Sequence, residues 1–149
     1  MTPAEMLADP TLHVPLWAHA DIWFPKECCA LLLTSDAGPE LILAENLADK
    51  YHTLDPEMYP RKGENAYILN PMLIQRAEDE GKRLVAIIHS HCIVGSYFSE
   101  EDVKQAMSHF DDGPAYPGVD YVVLDAQADG VKGFKTFAWS DATKAFVER

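Results

Sequence analysis

The sequence has few basic residues and no long hydrophobic run. It contains 12 lysines and arginines against 24 aspartates and glutamates, which gives a formal net charge of −12. Phosphate contacts need clustered lysine and arginine, so this balance argues against nucleic acid and anionic membrane surfaces as partners. No apolar run approaches the roughly 18 residues of a membrane span, and residues 1–10 lack the features of a secretory signal.

Cysteine is also scarce, and its spacing is uninformative for metal binding. The three cysteines, Cys28, Cys29 and Cys92, form no Cys-x-x-Cys pair. A four-cysteine zinc site and a thioredoxin-like redox motif are therefore excluded. An odd number of cysteines is most simply explained by free thiols in a reducing compartment, so we expect a cytoplasmic protein.

Helical and strand patterns alternate along the chain. A length of 149 residues without repeats or linkers predicts one domain over residues 1–149. The patterns predict helices at 11–24, 70–80 and 99–110, strands at 28–33, 41–44, 66–69, 84–88, 121–124 and 131–139, and an extended loop at 50–65. This interleaving predicts an α/β or α+β class with a mixed sheet flanked by helices.

Two histidines follow the clearest strand pattern. The apolar run at 84–88 leads directly into His89-Ser90-His91. Residues two apart on a strand point to the same face, so both imidazoles can converge on one ion, at about 2.0–2.1 Å per Zn–N bond. A zinc site needs at least one more ligand. Asp102, in the first turn of the next predicted helix, can fold back over the strand end and supply it.

Two further polar residues have the right chemistry for hydrolysis. Ser99 precedes Asp102 by three positions, so its hydroxyl could donate to a developing oxyanion. Glu27 begins a predicted strand, where its carboxylate could act as general base toward a zinc-activated water. Structural alternatives exist for these residues. Ser-x-x-Asp is also a capping box, and that role would compete with the metal for the Asp102 carboxylate.

The spacing of these residues resembles a known signature. His89-x-His91, seven residues, Ser99, two residues and Asp102, with a glutamate on an upstream strand, is similar to the pattern of the JAMM (MPN-plus) zinc metalloproteases. Residues 24–33 (FPKECCALLL) also resemble the family's Pro-x-Glu-x-Cys-Gly-Leu-Leu stretch.

The resemblance implies a fold, a cofactor and residue roles. The expected fold is cytidine-deaminase-like, with one catalytic zinc per chain held by His89, His91 and Asp102. Glu27 would be the base and Ser99 the oxyanion stabiliser. This chain has Cys92 and Phe98 where the family usually has proline, and alanine at position 30 where the family has glycine. These differences concern the shape of the loop at 92–98, and hence how the substrate fits. Residues 46–56 are more similar to the bacterial and phage-tail branch than to the eukaryotic deubiquitinases.

The sequence therefore predicts a JAMM-type zinc peptidase. Its expected substrate is a peptide or isopeptide bond at the C-terminal tail of a ubiquitin-like, sulfur-carrier or phage-tail protein. The alternative is a non-catalytic MPN-type interaction module that scaffolds an assembly, although the known silent domains lack the ligands. A zinc deaminase, whose fold is similar, is disfavoured because the sequence has no Pro-Cys-x-x-Cys segment.

Overall fold

A six-stranded mixed sheet forms the centre of the computed structural model, which describes residues 1–149. The strands are β1 (Cys29–Ser35), β2 (Gly38–Ala44), β3 (Arg83–Cys92), β4 (Asp120–Gln127), β5 (Gly130–Ser140) and β6 (Ala145–Glu148). Their order across the sheet is β2-β1-β3-β4-β5-β6. The β3–β4 pair is parallel, whereas the other four pairs are antiparallel.

Five helices accompany the sheet. They are α1 (Pro3–Leu7), α2 (Pro10–Trp23), α3 (Ala48–Leu54), α4 (Met72–Asp79) and α5 (Glu100–Ala106). The helices α1 and α2 contribute to the hydrophobic cluster on one face of the sheet, and α4 and α5 contribute to the cluster on the other face. A mixed sheet flanked by helices confirms the predicted fold class. None of these helices is both long and apolar enough to span a membrane.

The central strand β3 carries the predicted His-x-His pair. It is hydrogen bonded to β1 on one side and to β4 on the other, and it is buried from Leu84 to His91. Burial on both faces explains why its sequence is a continuous apolar run. Side chains alternate between the faces: Ile88 packs into the cluster with α1 and α2, and Ile87 into the opposite cluster. His89 and His91 therefore project toward the side of α4 and α5.

Most of the predicted helices and strands are confirmed. The exceptions are segments whose conformation is set by contacts with distant parts of the chain. Residues 66–69 do not form a strand, because their backbone groups bond to the side chains of Asn46 and Gln105 as well as to Leu47. The predicted loop at 50–65 begins inside α3. The helix predicted to reach residue 110 ends at Ala106, because the chain then turns into a β-bridge between Met107 and Pro114.

The α4 helix begins two residues inside the predicted range of 70–80. The Asn70 side chain accepts the N–H of Met72 at 3.0 Å, and Pro71 lies immediately before the first helical residue. Gly81 follows the end of the helix with a φ of +78°, a conformation that glycine adopts without a steric penalty. This helix packs on the face of β3 from which His89 and His91 project, where Ile74 and Ala77 join the same hydrophobic cluster as Leu84 and Ile87.

Candidate metal centre

The five side chains that the sequence singles out lie together at the end of β3. A cavity of about 160 Å³ is lined by Glu27, His91, Ser99 and Asp102, among others. His89 is fully buried behind this cavity and contacts both His91 and Asp102. The residues come from three parts of the chain: the segment just before β1, the end of β3 and the start of α5.

Three donor atoms converge on one point. The Nε2 atoms of His89 and His91 are 3.3 Å apart. Asp102 places Oδ1 3.0 Å from Nε2 of His89 and Oδ2 3.1 Å from Nε2 of His91. Ligands of a tetrahedral ion with bonds of about 2.0–2.1 Å lie about 3.3–3.4 Å apart. The observed spacings are 3.0–3.3 Å, and a different carboxylate oxygen of Asp102 is nearest to each imidazole. This buried group of three residues could hold a metal ion.

A capping box fixes the carboxylate of this group. Ser99 is the N-cap of α5, and its Oγ accepts the Asp102 N–H at 3.1 Å. In return, Oδ2 of Asp102 accepts the Ser99 N–H at 2.9 Å. Oδ2 of Asp102 therefore serves both the cap and His91, while Oδ1 faces His89. The cap orients Asp102 toward the two imidazoles.

The two histidine rings are held in different ways. Nδ1 of His91 donates to the carbonyl of Gly95 at 3.1 Å, which orients Nε2 toward Asp102 and His89. Nδ1 of His89 has no hydrogen-bond partner. Its ring instead stacks on Tyr67, with centroids 4.4 Å apart and planes 18° from parallel. Sequence analysis missed Tyr67, because nothing in its local pattern links it to His89.

The charge states suit a metal-binding group. Burial lowers the pKa of His89 and keeps its ring neutral, the form that binds metals. Burial raises the pKa of the Asp102 carboxyl, but hydrogen bonds from His89 and His91 outweigh this and hold it well below its usual range. Burial lowers the pKa of His91, but the hydrogen bond to Asp102 and the charge of this carboxylate outweigh burial and raise it. Metal binding requires deprotonated ligands, so His91 would release a proton when an ion binds.

Glu27 lines the same cavity from the segment just before β1. Its side chain is buried, and burial raises the pKa of this carboxyl to about 8. A carboxyl with a pKa near neutrality can both accept and return a proton. Its backbone is fixed on both sides, since its N–H donates to Gly63 at 2.7 Å and its carbonyl accepts from the Asn46 amide at 2.9 Å.

Asn46 connects Glu27 to the segment that carries Tyr67. The buried Asn46 amide also donates to the carbonyl of Ala66, and its Oδ1 accepts the N–H groups of Ala48 and Ile68. Sequence analysis did not assign this residue a role. An asparagine directly after a strand indicates only a turn, and its four partners lie in three separate segments.

The comparisons with known proteins agree with this architecture. Residues 11–137 match the family described as prokaryotic homologs of the JAB domain. A solved protein from Desulfitobacterium hafniense has a TM-score of 0.59 at 17% identity, covering 93% of this chain and 86% of its own. One from Salinibacter ruber has a TM-score of 0.59 at 19% identity, covering 95% and 86%.

At these identities the two structures show a shared fold and no more. No curated protein matches the sequence significantly. The family match spans most of the chain, and the fold and the sequence signature agree with it. The resemblance found in the sequence is confirmed: the chain belongs to the prokaryotic homologs of the JAB domain.

Proposed function

We propose that this protein is a zinc-dependent peptidase that hydrolyses a peptide or isopeptide bond. The observation that carries the proposal is the convergence of three donor atoms, from His89, His91 and Asp102, beside a cavity that Glu27 also lines. Two imidazoles and a carboxylate form a typical zinc ligand set, and three protein ligands leave one position open for chemistry. The JAB-domain family includes metallopeptidases, which supports the same proposal.

The chain's own residues supply the proton transfers. When bound, the ion would lower the pKa of a water molecule and polarise the scissile carbonyl. Glu27 takes a proton from the attacking water as the new carbon–oxygen bond forms. It returns that proton to the leaving amine as the carbon–nitrogen bond breaks, so a carboxylic acid and an amine result. The Ser99 hydroxyl only accepts in its bond with Asp102, and its own proton stays free to donate to the carbonyl oxygen.

We propose the C-terminal tail of a ubiquitin-like, sulfur-carrier or phage-tail protein as the substrate. A cavity of about 160 Å³ suits a narrow extended chain with small side chains at the cleaved bond. The three cysteines are free thiols, which supports a reducing cytoplasm as the place of action.

Metal analysis combined with a hydrolysis assay tests the proposal. We expect purified protein to contain about one zinc per chain, which His91→Ala loses and the exposed control His109→Ala keeps. Glu27→Gln is expected to keep zinc and to lose about 10²–10⁴-fold in hydrolysis of ubiquitin-like fusion proteins. Stoichiometric zinc in His91→Ala would refute the ligand set. Unchanged turnover in Glu27→Gln would refute the role of Glu27 as the general base. Zinc binding without any hydrolysis across the fusions would favour the interaction module.

A further inference from the structure

The loop that follows β3 exposes three large apolar side chains, two of which line the cavity. Ile93, Val94 and Tyr97 are 66%, 64% and 52% exposed. Val94 and Tyr97 also line the cavity, and the Tyr97 ring packs edge-on against His91 with centroids 4.8 Å apart. We call these three residues the apolar rim. A chain that reaches the metal ligands through this cavity would contact Val94 and Tyr97 of the rim.

Ile93 is held in a conformation that its side chain disfavours. Its φ is +78°, in the left-handed region, which a β-branched residue rarely adopts. Its N–H donates to the carbonyl of Ala126 at 2.9 Å, and its own carbonyl accepts from the Gln127 amide at 3.5 Å. Gly95, two positions later, also has a positive φ, but glycine adopts it without a steric penalty.

Ile93 therefore destabilises the folded chain in two ways, through a strained backbone and through an apolar side chain exposed to water. Packing within the chain does not compensate for them, because two thirds of the side chain is exposed. Strained residues and contiguous exposed apolar side chains both concentrate at binding sites. Ile93 lies in the chain between Cys92 and Val94, which both line the cavity, so we expect its side chain to contact the chain that enters the cavity.

The charges around the rim define the flanks of that chain. Glu64 lines the cavity, and Glu100 and Glu101 are exposed at the start of α5. The one basic residue in the lining, Arg61, has Glu101 3.7 Å away. The whole chain carries a net charge of −12. Acidic flanks on a partner would be repelled, whereas lysine or arginine flanks would be attracted.

We propose that the apolar rim binds the substrate segment beside the cleaved bond, and that this segment has large apolar side chains with basic flanks. The proposal rests on the proposed peptidase function, because the rim is assigned to the same substrate. Binding and hydrolysis are therefore measured separately.

The probes are two fluorescein-labelled peptides with amidated ends. One is Lys-Leu-Leu-Gly-Gly-Leu-Leu-Lys, and the other has serine in place of each leucine. Their affinities are measured by fluorescence anisotropy with zinc-loaded Glu27→Gln protein, in which the peptide is not consumed. We expect the leucine peptide to bind about tenfold more tightly than the serine peptide, since several side chains are partly buried.

Two substitutions at one position separate the strain from the side chain. Ile93→Gly removes both, so we expect the preference for the leucine peptide to fall about threefold while the melting temperature rises by about 2–4 °C. Ile93→Ala keeps a positive φ on a residue with a Cβ and should lose the same preference with little thermal gain. Lys144, the other non-glycine residue with a positive φ (54°), provides a matched control. Lys144→Gly relieves backbone strain in the turn between β5 and β6, outside the apolar rim, and should leave the peptide preference unchanged.

The outcomes distinguish this proposal from the peptidase proposal. A leucine preference that falls in both Ile93 variants supports the rim, even if the zinc-loaded wild type cleaves neither peptide. Equal binding of both peptides, or no binding of either, overturns the rim, even if the wild type hydrolyses them. A preference that survives in Ile93→Ala and Ile93→Gly also overturns it. The zinc content of each variant is measured in parallel, so that a disturbed metal site is not mistaken for a lost contact.

Discussion

Replacing Tyr67 tests whether ring stacking orients His89 for metal binding. Metal-binding histidines normally donate their second ring nitrogen to an acceptor, but Nδ1 of His89 has no partner and its ring lies on Tyr67. We expect Tyr67→Leu to weaken zinc binding and Tyr67→Phe to preserve it, because phenylalanine keeps the stacked ring.

The size of the effect follows from the geometry. An aromatic pair contributes about 0.5–1.5 kcal/mol beyond simple burial, which corresponds to about two- to twelvefold in affinity. Loss of an orienting partner of a metal ligand typically costs about 10–100-fold. We therefore expect zinc affinity to fall about tenfold in Tyr67→Leu. The assay is competition for zinc against a chromophoric chelator of known affinity.

A matched substitution separates orientation from general damage to the core. Tyr121 is buried in the same hydrophobic cluster as Tyr67, but its ring contacts Phe98 and Phe146 and no metal-site histidine. Tyr121→Leu should lower the free energy of unfolding by about 1–3 kcal/mol, as Tyr67→Leu should, while leaving zinc affinity intact. The reasoning fails if Tyr67→Leu binds zinc like the wild type, or if Tyr67→Phe loses as much affinity as Tyr67→Leu.

Two further predictions concern residues that hold the site in place. Ser99→Ala removes the acceptor for the Asp102 N–H, so we expect urea denaturation to show a loss of about 1 kcal/mol; an unchanged midpoint would mean that the cap contributes nothing. Asn46→Ala leaves buried groups of Glu27 and Ala66 without their hydrogen-bond donor, and groups of Ala48 and Ile68 without their acceptor. We expect it to cost about 3 kcal/mol or more in the same experiment, and a loss below about 1 kcal/mol would contradict this.

Local sequence patterns were sufficient to predict those features of the site that lie within a single strand or helix. The residues before His89 are apolar on both faces of the strand, so both faces are expected to be buried, and this indicates a central strand. The alternation of a strand then places His89 and His91 on one face. The Ser99-x-x-Asp102 spacing likewise marks a helix start, because the cap requires those two positions. Each of these inferences needs only residues that are close in the chain.

Other features depend on contacts between distant segments. The segment at 66–69 has the composition of a strand. Its backbone groups, however, form hydrogen bonds with Asn46, Leu47 and Gln105 and not with a neighbouring strand. The partner of His89 is Tyr67, which lies on a segment of its own with no periodic signal. The left-handed backbone at Ile93 is invisible in the sequence, because isoleucine favours extended structure and only its bonds to β4 hold it otherwise.

The sequence by itself therefore determined the central strand, the helix start and the residue types able to hold an ion, because these follow from the short periods of strands and helices. Only the tertiary structure decided that the three donor atoms lie within 4.8 Å of one another, and which side chains hold them there. The physical reason is that these distances depend on how β3, α5 and the segment containing Tyr67 pack together, and packing is a property of the whole chain.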